Sequence, residues 1–177
     1  ELVIVDDGSS DNSIIKIEQL VKQDSRIKLY THPNNENRGL KKTLQLGLEK
    51  AEGEWIAFLE SDDLLMSTAL QERINAINSN PDISFIFNDV EMFGNQYNIE
   101  LFEESFKKSR KYLTEINFPC CVTDILYKRN VVPTFSCATV KKDALLKCDF
   151  NCPVDALLDH YLWLQLSTET DFYFINK

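Results

Sequence analysis

The stretch GEWIAFLESDDLL, residues 53–65, turns from an apolar run into acid within a few positions. Trp55 to Leu59 has the aromatic and β-branched character of a strand, and Glu60, Ser61, Asp62 and Asp63 follow at its carboxyl end. Carboxylates packed this closely repel one another unless a cation or hydrogen-bond donors offset them. The same order opens the chain, where Leu2-Val-Ile-Val5 runs into Asp6, Asp7, Gly8 and Ser9. Open α/β sheets bind ligands at the carboxyl ends of their strands. Two parallel strands would therefore bring both acid clusters to one edge. Turn and cap chemistry accounts for one such cluster but poorly for two. Oxygen-rich sites of this kind suit Mg²⁺ or Mn²⁺, and a hard cation beside carboxylates is a usual way to hold a diphosphate.

Outward from these clusters, strand and helix signals alternate. Strands are expected at 2–5, 27–30, 55–59, 83–87, 135–140 and 171–176. Helices are expected at 14–23, 40–52, 68–79, 100–113, 142–147 and 157–168, with Ser10 or Asp11 capping the first, Gly53 closing the second and Ser67 capping the third. The pattern is weakest from Asn88 to Val132. Alternation of this kind predicts an α/β fold with a mixed, mostly parallel, Rossmann-like sheet flanked by helices.

The chain has 177 residues, 44% of them hydrophobic, which suits one domain. Its net charge of −9 argues against a nucleic-acid partner. No apolar run approaches the roughly 18 residues of a membrane helix, and no basic segment leads into an apolar one. The expected location is the cytoplasm or the inner face of the membrane, with peripheral association. Cys120, Cys121, Cys137, Cys148 and Cys152 lack zinc spacing and read as reduced thiols packed like small hydrophobes.

The segments ELVIVDDGSSDNS, NENRGL, GEWIAFLESDDLL and DHYLWLQL, in this order and spacing, resemble the family 2 glycosyltransferases of GT-A fold. The resemblance implies an inverting enzyme that moves a sugar from a nucleotide-sugar, UDP-linked by preference, to an acceptor hydroxyl. It further implies bacterial surface polysaccharide or glycoconjugate synthesis, with a sugar or a lipid-linked acceptor. Carried over by position, Asp6, Asp7 and Asn37 would bind the nucleotide. Glu60-Ser61-Asp62 would stand at the D-x-D motif, with Asp62 as the ligand of Mn²⁺ or Mg²⁺. Asp159 would be the catalytic base. Residues 1–90 would then be the nucleotide-binding half and 91–177 the acceptor-binding half of one domain.

The sequence also departs from the family pattern. The family's first strand and helix are missing ahead of Glu1, so the chain reads as N-terminally truncated. Glu60 stands for the first Asp of D-x-D, Thr43-Leu44-Gln45 for a frequent Ala-Arg-Asn run, and Leu158 for the Glu of a Glu-Asp pair. Arg38, Lys41 or Lys42 would have to take over the phosphate contact, or else be solvated surface charges. Asp159 could equally be a helix N-cap, and His160 either a solvated helix residue or an acceptor-orienting one. Trp55 and Trp163 read as core. The charged run 103–111 reads as a solvated helix face or as a face turned to lipid or a partner. The alternative function is a degenerate GT-A domain acting as a binding or assembly module. A receiver domain fits poorly because of Gly8-Ser9-Ser10 and the extra C-terminal region, and a nucleotidyltransferase lacks its basic Gly-rich loop.

Overall fold

Strand and helix alternate along the computed structural model, which describes residues 1–176; Lys177, the last residue of the expected domain, lies outside them. The order is β1 (Leu2–Asp6), α1 (Ser13–Gln23), β2 (Ile27–Thr31), α2 (Gly39–Lys50), β3 (Trp55–Ala57), α3 (Ala69–Ser79), β4 (Phe85–Asn88), α4 (Gln96–Glu115), α5 (Thr123–Leu126), β5 (Ala138–Lys141), α6 (Lys142–Leu145), α7 (Leu158–Ser167) and β6 (Phe172–Ile175). Single 3₁₀ turns lie at Pro33–Asn35, Phe135–Cys137 and Asp155–Leu157. The chain divides into two compact units, one of Glu1–Ile56 with Asp149–Leu158 and one of Ala57–Cys148 with Asp159–Lys177.

In the first unit β1 and β2 pair in parallel, from Leu2 against Ile27 to Asp6 against Thr31. Helix α2 returns over β1, with Gly47 close enough that a Cβ there would meet the Val5 side chain at 3.5 Å. The turn after β1 depends on Gly8. Its φ is +83°, and an added Cβ would stand 2.8 Å from the Asn37 amide nitrogen and 2.9 Å from the Asn35 carbonyl oxygen.

The second unit carries the core. A four-stranded sheet has the order β3-β5-β4-β6, and β5, β4 and β6 lie in this unit. Strand β4 pairs antiparallel with β5 and parallel with β6, so the fold is mixed α/β as the sequence implied. Phe85, Ile86 and Phe87 are consecutive and all fully buried, the pattern of a strand covered on both faces. Phe172 stacks on Phe85 with ring centroids 3.8 Å apart, and Trp163 of α7 meets Phe85 edge-on at 4.8 Å.

Several boundaries differ from the sequence reading, for local reasons. The strand expected at 55–59 ends at Ala57, although the Phe58 amide still donates to the Ala138 carbonyl. Trp55 is half-exposed rather than core, because β3 is the edge strand of its sheet. Residues 135–137 form a 3₁₀ turn, not strand, because the Thr134 side chain accepts from the Ser136 amide and bends the backbone. Helix α2 stops before Gly53, since Ala51 is already extended. Asn12 and Thr68 take the cap positions expected for Ser10 or Asp11 and for Ser67, and Asp11 instead accepts from the Ser13 amide. Helix α5 went unread. All five cysteines are free, and burial pushes Cys137 up to about 12. Among the described residues no helix is long and apolar enough to cross a membrane.

Gly8 and Gly39 both have positive φ, but Gly39 has open space where a Cβ would go. Gly39→Ala should therefore cost only backbone strain, about 1–2 kcal/mol. Gly8→Ala should cost more, because the backbone at Asn35–Asn37 must also shift. Urea unfolding of the two variants measures the difference, and equal losses would show that the 35–37 loop yields freely.

Candidate active site

In the first unit the acids after β1 are already committed to hydrogen bonds. Asp6, 6% exposed, accepts on Oδ1 from the Gly8 and Ser9 amides at 3.0 and 2.9 Å. Asp7 accepts on Oδ1 from the Arg38 amide at 2.6 Å and on Oδ2 from the Gly39 amide at 2.9 Å. It thereby ties the start of α2 to the end of β1, as an acid at a helix N-terminus should. His32, buried, sits with Nε2 3.4 Å from Asp7 Oδ1 and 3.2 Å from Thr43 Oγ1. The Thr43 hydroxyl spends its proton on the Gly39 carbonyl, so Nε2 must be the donor to Thr43. Asn37 is exposed in the same loop. A cleft of about 230 Å³ beside it is lined by His32, Arg38 and Lys42 among others. Of the three basic residues weighed as replacements for the missing arginine, Arg38 and Lys42 face this cleft.

In the second unit the acidic turn after β3 is held from behind. The Glu60 amide donates to Ser136 Oγ at 2.8 Å, and the Asp63 amide donates to the Glu60 carbonyl at 3.1 Å. Ser136 is held in turn by Arg73 of α3, 3% exposed, whose Nη2 donates to the Ser136 carbonyl at 2.7 Å and to Asn88 Oδ1 at 2.8 Å. Burial lowers the Arg73 pKa, and its Nη1 is buried without a hydrogen-bond partner among the described residues. Phe58, Phe135 and Trp163 pack together as an aromatic floor, with centroids 5.2–6.2 Å apart.

Two carboxyls of this unit are displaced from the ordinary range. Burial raises Glu60, and the Asp63, Asp62 and Asp159 charges raise it further. Asp159, half-buried near the start of α7, is raised by burial; hydrogen bonds from the His160 amide and from Asn130 hold it back. Asn130 Nδ2 donates to Asp159 Oδ2 at 3.1 Å, and Asn130 Oδ1 accepts from the Val132 amide at 3.0 Å, which fixes the amide. A carboxylate shifted upward and oriented by a neutral donor has the properties of a general base. His160 is half-buried, with no hydrogen-bond partner for Nδ1 among the described residues, not the solvated residue the sequence suggested, and Trp163 is fully buried core. Leu158, in place of a family Glu, is buried at 1%.

Among the described residues no three His, Cys, Asp or Glu side chains are grouped to cage a metal. Ser61 and Asp62 are exposed. An open carboxylate turn of this kind fits Mg²⁺ or Mn²⁺, which takes one or two carboxylates and fills its other positions with water and phosphate. Sequence reasoning missed Arg73, Asn130, Ser136 and His32. Arg73 alone left a signal, as a cation among the apolar positions Ala69, Ala76 and Ile77 of α3.

The raised Glu60 has a consequence for stability. In the unfolded chain a glutamate titrates near about 4.3. In the fold its pKa is higher, so protonation favours the fold. The contribution is intact below the unfolded value and is lost as pH rises through the folded one. Glu60→Gln should thus raise Tm by about 2 °C near neutral pH, at most ~1 kcal/mol after solvent screening, and by nothing in acid. Thermal melts across pH check this; a gain independent of pH would exclude charge as its cause.

The profile of the family described as "Glycosyl transferase family 2" matches residues 1–135. The UDP-Glc:alpha-D-GlcNAc-diphosphoundecaprenol beta-1,3-glucosyltransferase of Escherichia coli is 31% identical over 99% of this chain, which spans 61% of that relative's length. S. aureus TarS, in its 1–349 structure, superposes with a TM-score of 0.68 at 16% identity, over 99% of this chain and 48% of that one. Glucosyl-3-phosphoglycerate synthase from Mycobacterium tuberculosis, solved with uridine diphosphate, gives a TM-score of 0.56 at 15% identity over 99% of this chain and 58% of that one. The chain belongs to glycosyl transferase family 2, with the α/β fold of its GT-A relatives.

Proposed function

We propose that the protein is an inverting glycosyltransferase that moves a sugar from a UDP-sugar to a hydroxyl of a lipid-linked saccharide, at the membrane's cytoplasmic face. The observation that carries this is Asp159: a half-buried carboxylate, raised by burial and oriented by Asn130, in the same unit as the acidic turn at Glu60–Asp63. The Escherichia coli relative's name supports the donor and acceptor classes, and the uridine diphosphate bound to the mycobacterial neighbour supports the nucleotide.

In this reading Asp6, Asp7 and Asn37 serve the nucleotide in the first unit. Asp7 does so by shaping the loop, since both its oxygens already hold backbone amides. Glu60, Ser61 and Asp62 serve the ribose and diphosphate in the second unit, with Asp62 as the metal ligand. A bound Mn²⁺ or Mg²⁺ would supply positive charge against the departing diphosphate. Asp159 takes the acceptor hydroxyl's proton on a carboxylate oxygen. The hydroxyl oxygen then bonds to the anomeric carbon from the face opposite the leaving nucleoside diphosphate, and the configuration inverts. The low-dielectric setting that raises Asp159 also makes it a stronger base than a solvated aspartate.

The degenerate binding module is the second reading, favoured by the apolar burial of Leu158 where the family pattern has an acid. Calorimetric titration of UDP with Mn²⁺ and with EDTA separates the two, together with transfer assays. Metal-dependent UDP binding is expected, weakened about tenfold or more by Asp62→Asn. Asp159→Asn should keep that binding and lower transfer by about 10²–10⁴. NMR of the product should show the anomeric configuration opposite to the donor's. Parallel loss of binding and transfer in Asp159→Asn would make Asp159 a structural helix residue. Intact UDP binding without any transfer would favour the module.

A further inference from the structure

The second unit holds a cleft that the proposed donor chemistry does not use. It measures about 440 Å³ and is lined by Ser105, Phe106, Lys108 and Ser109 of α4 and by Lys128, Arg129, Asn130 and Pro133 after α5. The volume lies in the range of small-ligand sites, roughly 300–1,000 Å³. No acid is among the lining residues, although the chain carries a net charge of −9. On the same helix Arg110 pairs with Asp89 and Glu103, and Lys111 lies 3.8 Å from Glu115, whereas Lys107 forms no ion pair among the described residues. Lys108, Lys128 and Arg129 form no ion pair among the described residues. All three are exposed, so water screens their mutual repulsion, and their donors remain open to an anion in the cleft.

Asn130 connects this cleft to the chemistry. It lines the cleft and donates to Asp159 Oδ2 at 3.1 Å. Asp159 is not itself a lining residue, so a ligand bound there meets the proposed base by way of Asn130. We infer that this cleft binds the diphosphate of a sugar-diphosphate acceptor through Lys108, Lys128 and Arg129, and so delivers the acceptor's hydroxyl to Asp159. This rests on the proposed transfer for the role of Asp159. Arginine's planar fork matches phosphate oxygens in pairs, and lysine supplies a point charge, so the set suits a multiply charged anion. The donor's diphosphate is assigned to the acidic turn, where a metal is required to reverse the sign; here no metal is required. Two diphosphates in one reaction would thus be told apart by the means of neutralisation.

Inorganic pyrophosphate, titrated calorimetrically in EDTA, is the probe. The protein should bind it, and Lys128→Ala/Arg129→Ala should weaken binding by about tenfold or more. Lys107→Ala/Lys111→Ala, on the same helix but not among the lining residues, should bind like the parent. UDP binding in Mn²⁺ should be unchanged in both double variants. Absence of pyrophosphate binding, or equal binding by Lys128→Ala/Arg129→Ala, overturns the inference. So does parallel loss of UDP binding in that variant, which would give these cations to the donor. Co-sedimentation with phosphatidylglycerol vesicles that depends on Lys128 and Arg129 but is not competed by pyrophosphate also overturns it, in favour of a lipid surface. Failure of UDP to bind the parent protein, with the pyrophosphate pattern as expected, would instead count against the proposed transfer alone.

Discussion

The acidic turn after β3 rests on a buried guanidinium. Arg73 lies in α3 at 3% exposure, and no carboxylate is among its hydrogen-bond partners. It spends its donors on Asn88 Oδ1 at the end of β4 and on the Ser136 carbonyl, and Ser136 Oγ in turn takes the Glu60 amide. Three segments distant in sequence are thereby fixed to one side chain. Burying a charge without an ionic partner is expensive, and Nη1 without a hydrogen bond adds to the cost. The aromatic core of Phe85, Phe172 and Trp163 provides the burial that offsets it.

This arrangement matters because the turn it fixes is self-repelling. Glu60 is raised by burial and by three other carboxylates, Asp159 among them. A flexible turn would splay and let water relax that repulsion. A turn whose backbone is pinned at Glu60 keeps the repulsion in place. Under the proposed reading such acids would gain from a bound cation, the usual opposition between a stable fold and a functional site. Asp159 follows the same logic with a different partner. Asn130 is neutral, so it orients the carboxylate without stabilising its charge as a lysine or arginine would, and basicity survives.

Much of this was legible in the sequence, but only where the signal is local. The strand that ends in Asp6-Asp7 and the one that ends near Glu60 were readable from a few consecutive residues, as was the apolar helix that carries Asp159. Their alternation with helices gave the α/β class. The commitments of these acids were not readable. Asp7 looks like a free ligand in Asp-Asp-Gly-Ser, yet its partners are amides at 38 and 39, brought in by the turn around Gly8. Asn130 lies in the segment with the weakest periodicity, and its partner is 29 residues away. Arg73 and Ser136 are 63 residues apart. Composition and periodicity report which face of an element is buried, not which backbone carbonyl waits there. The strand boundaries failed for a related reason: Thr134 bends residues 135–137 with a single side-chain hydrogen bond that β propensity does not include.

The second unit therefore carries opposite charges in separate places. Acids gather at the turn after β3, and unpaired cations gather in the cleft of α4 and the segment after α5, with Asn130 belonging to the cleft and touching Asp159. Arg110 and Lys111 of α4 are paired with acids, whereas Lys107 and Lys108 form no ion pair among the described residues. Under the proposed reading, Lys108, Lys128 and Arg129 would offer a positive surface to one ligand, as the pinned turn at Glu60 would offer a negative one to a cation. The two anionic partners of the proposed transfer would then be held by chemically distinct means within one unit. In the proposed transfer the neutral asparagine would let Asp159 act as a base, because the group that orients it carries no charge of either sign.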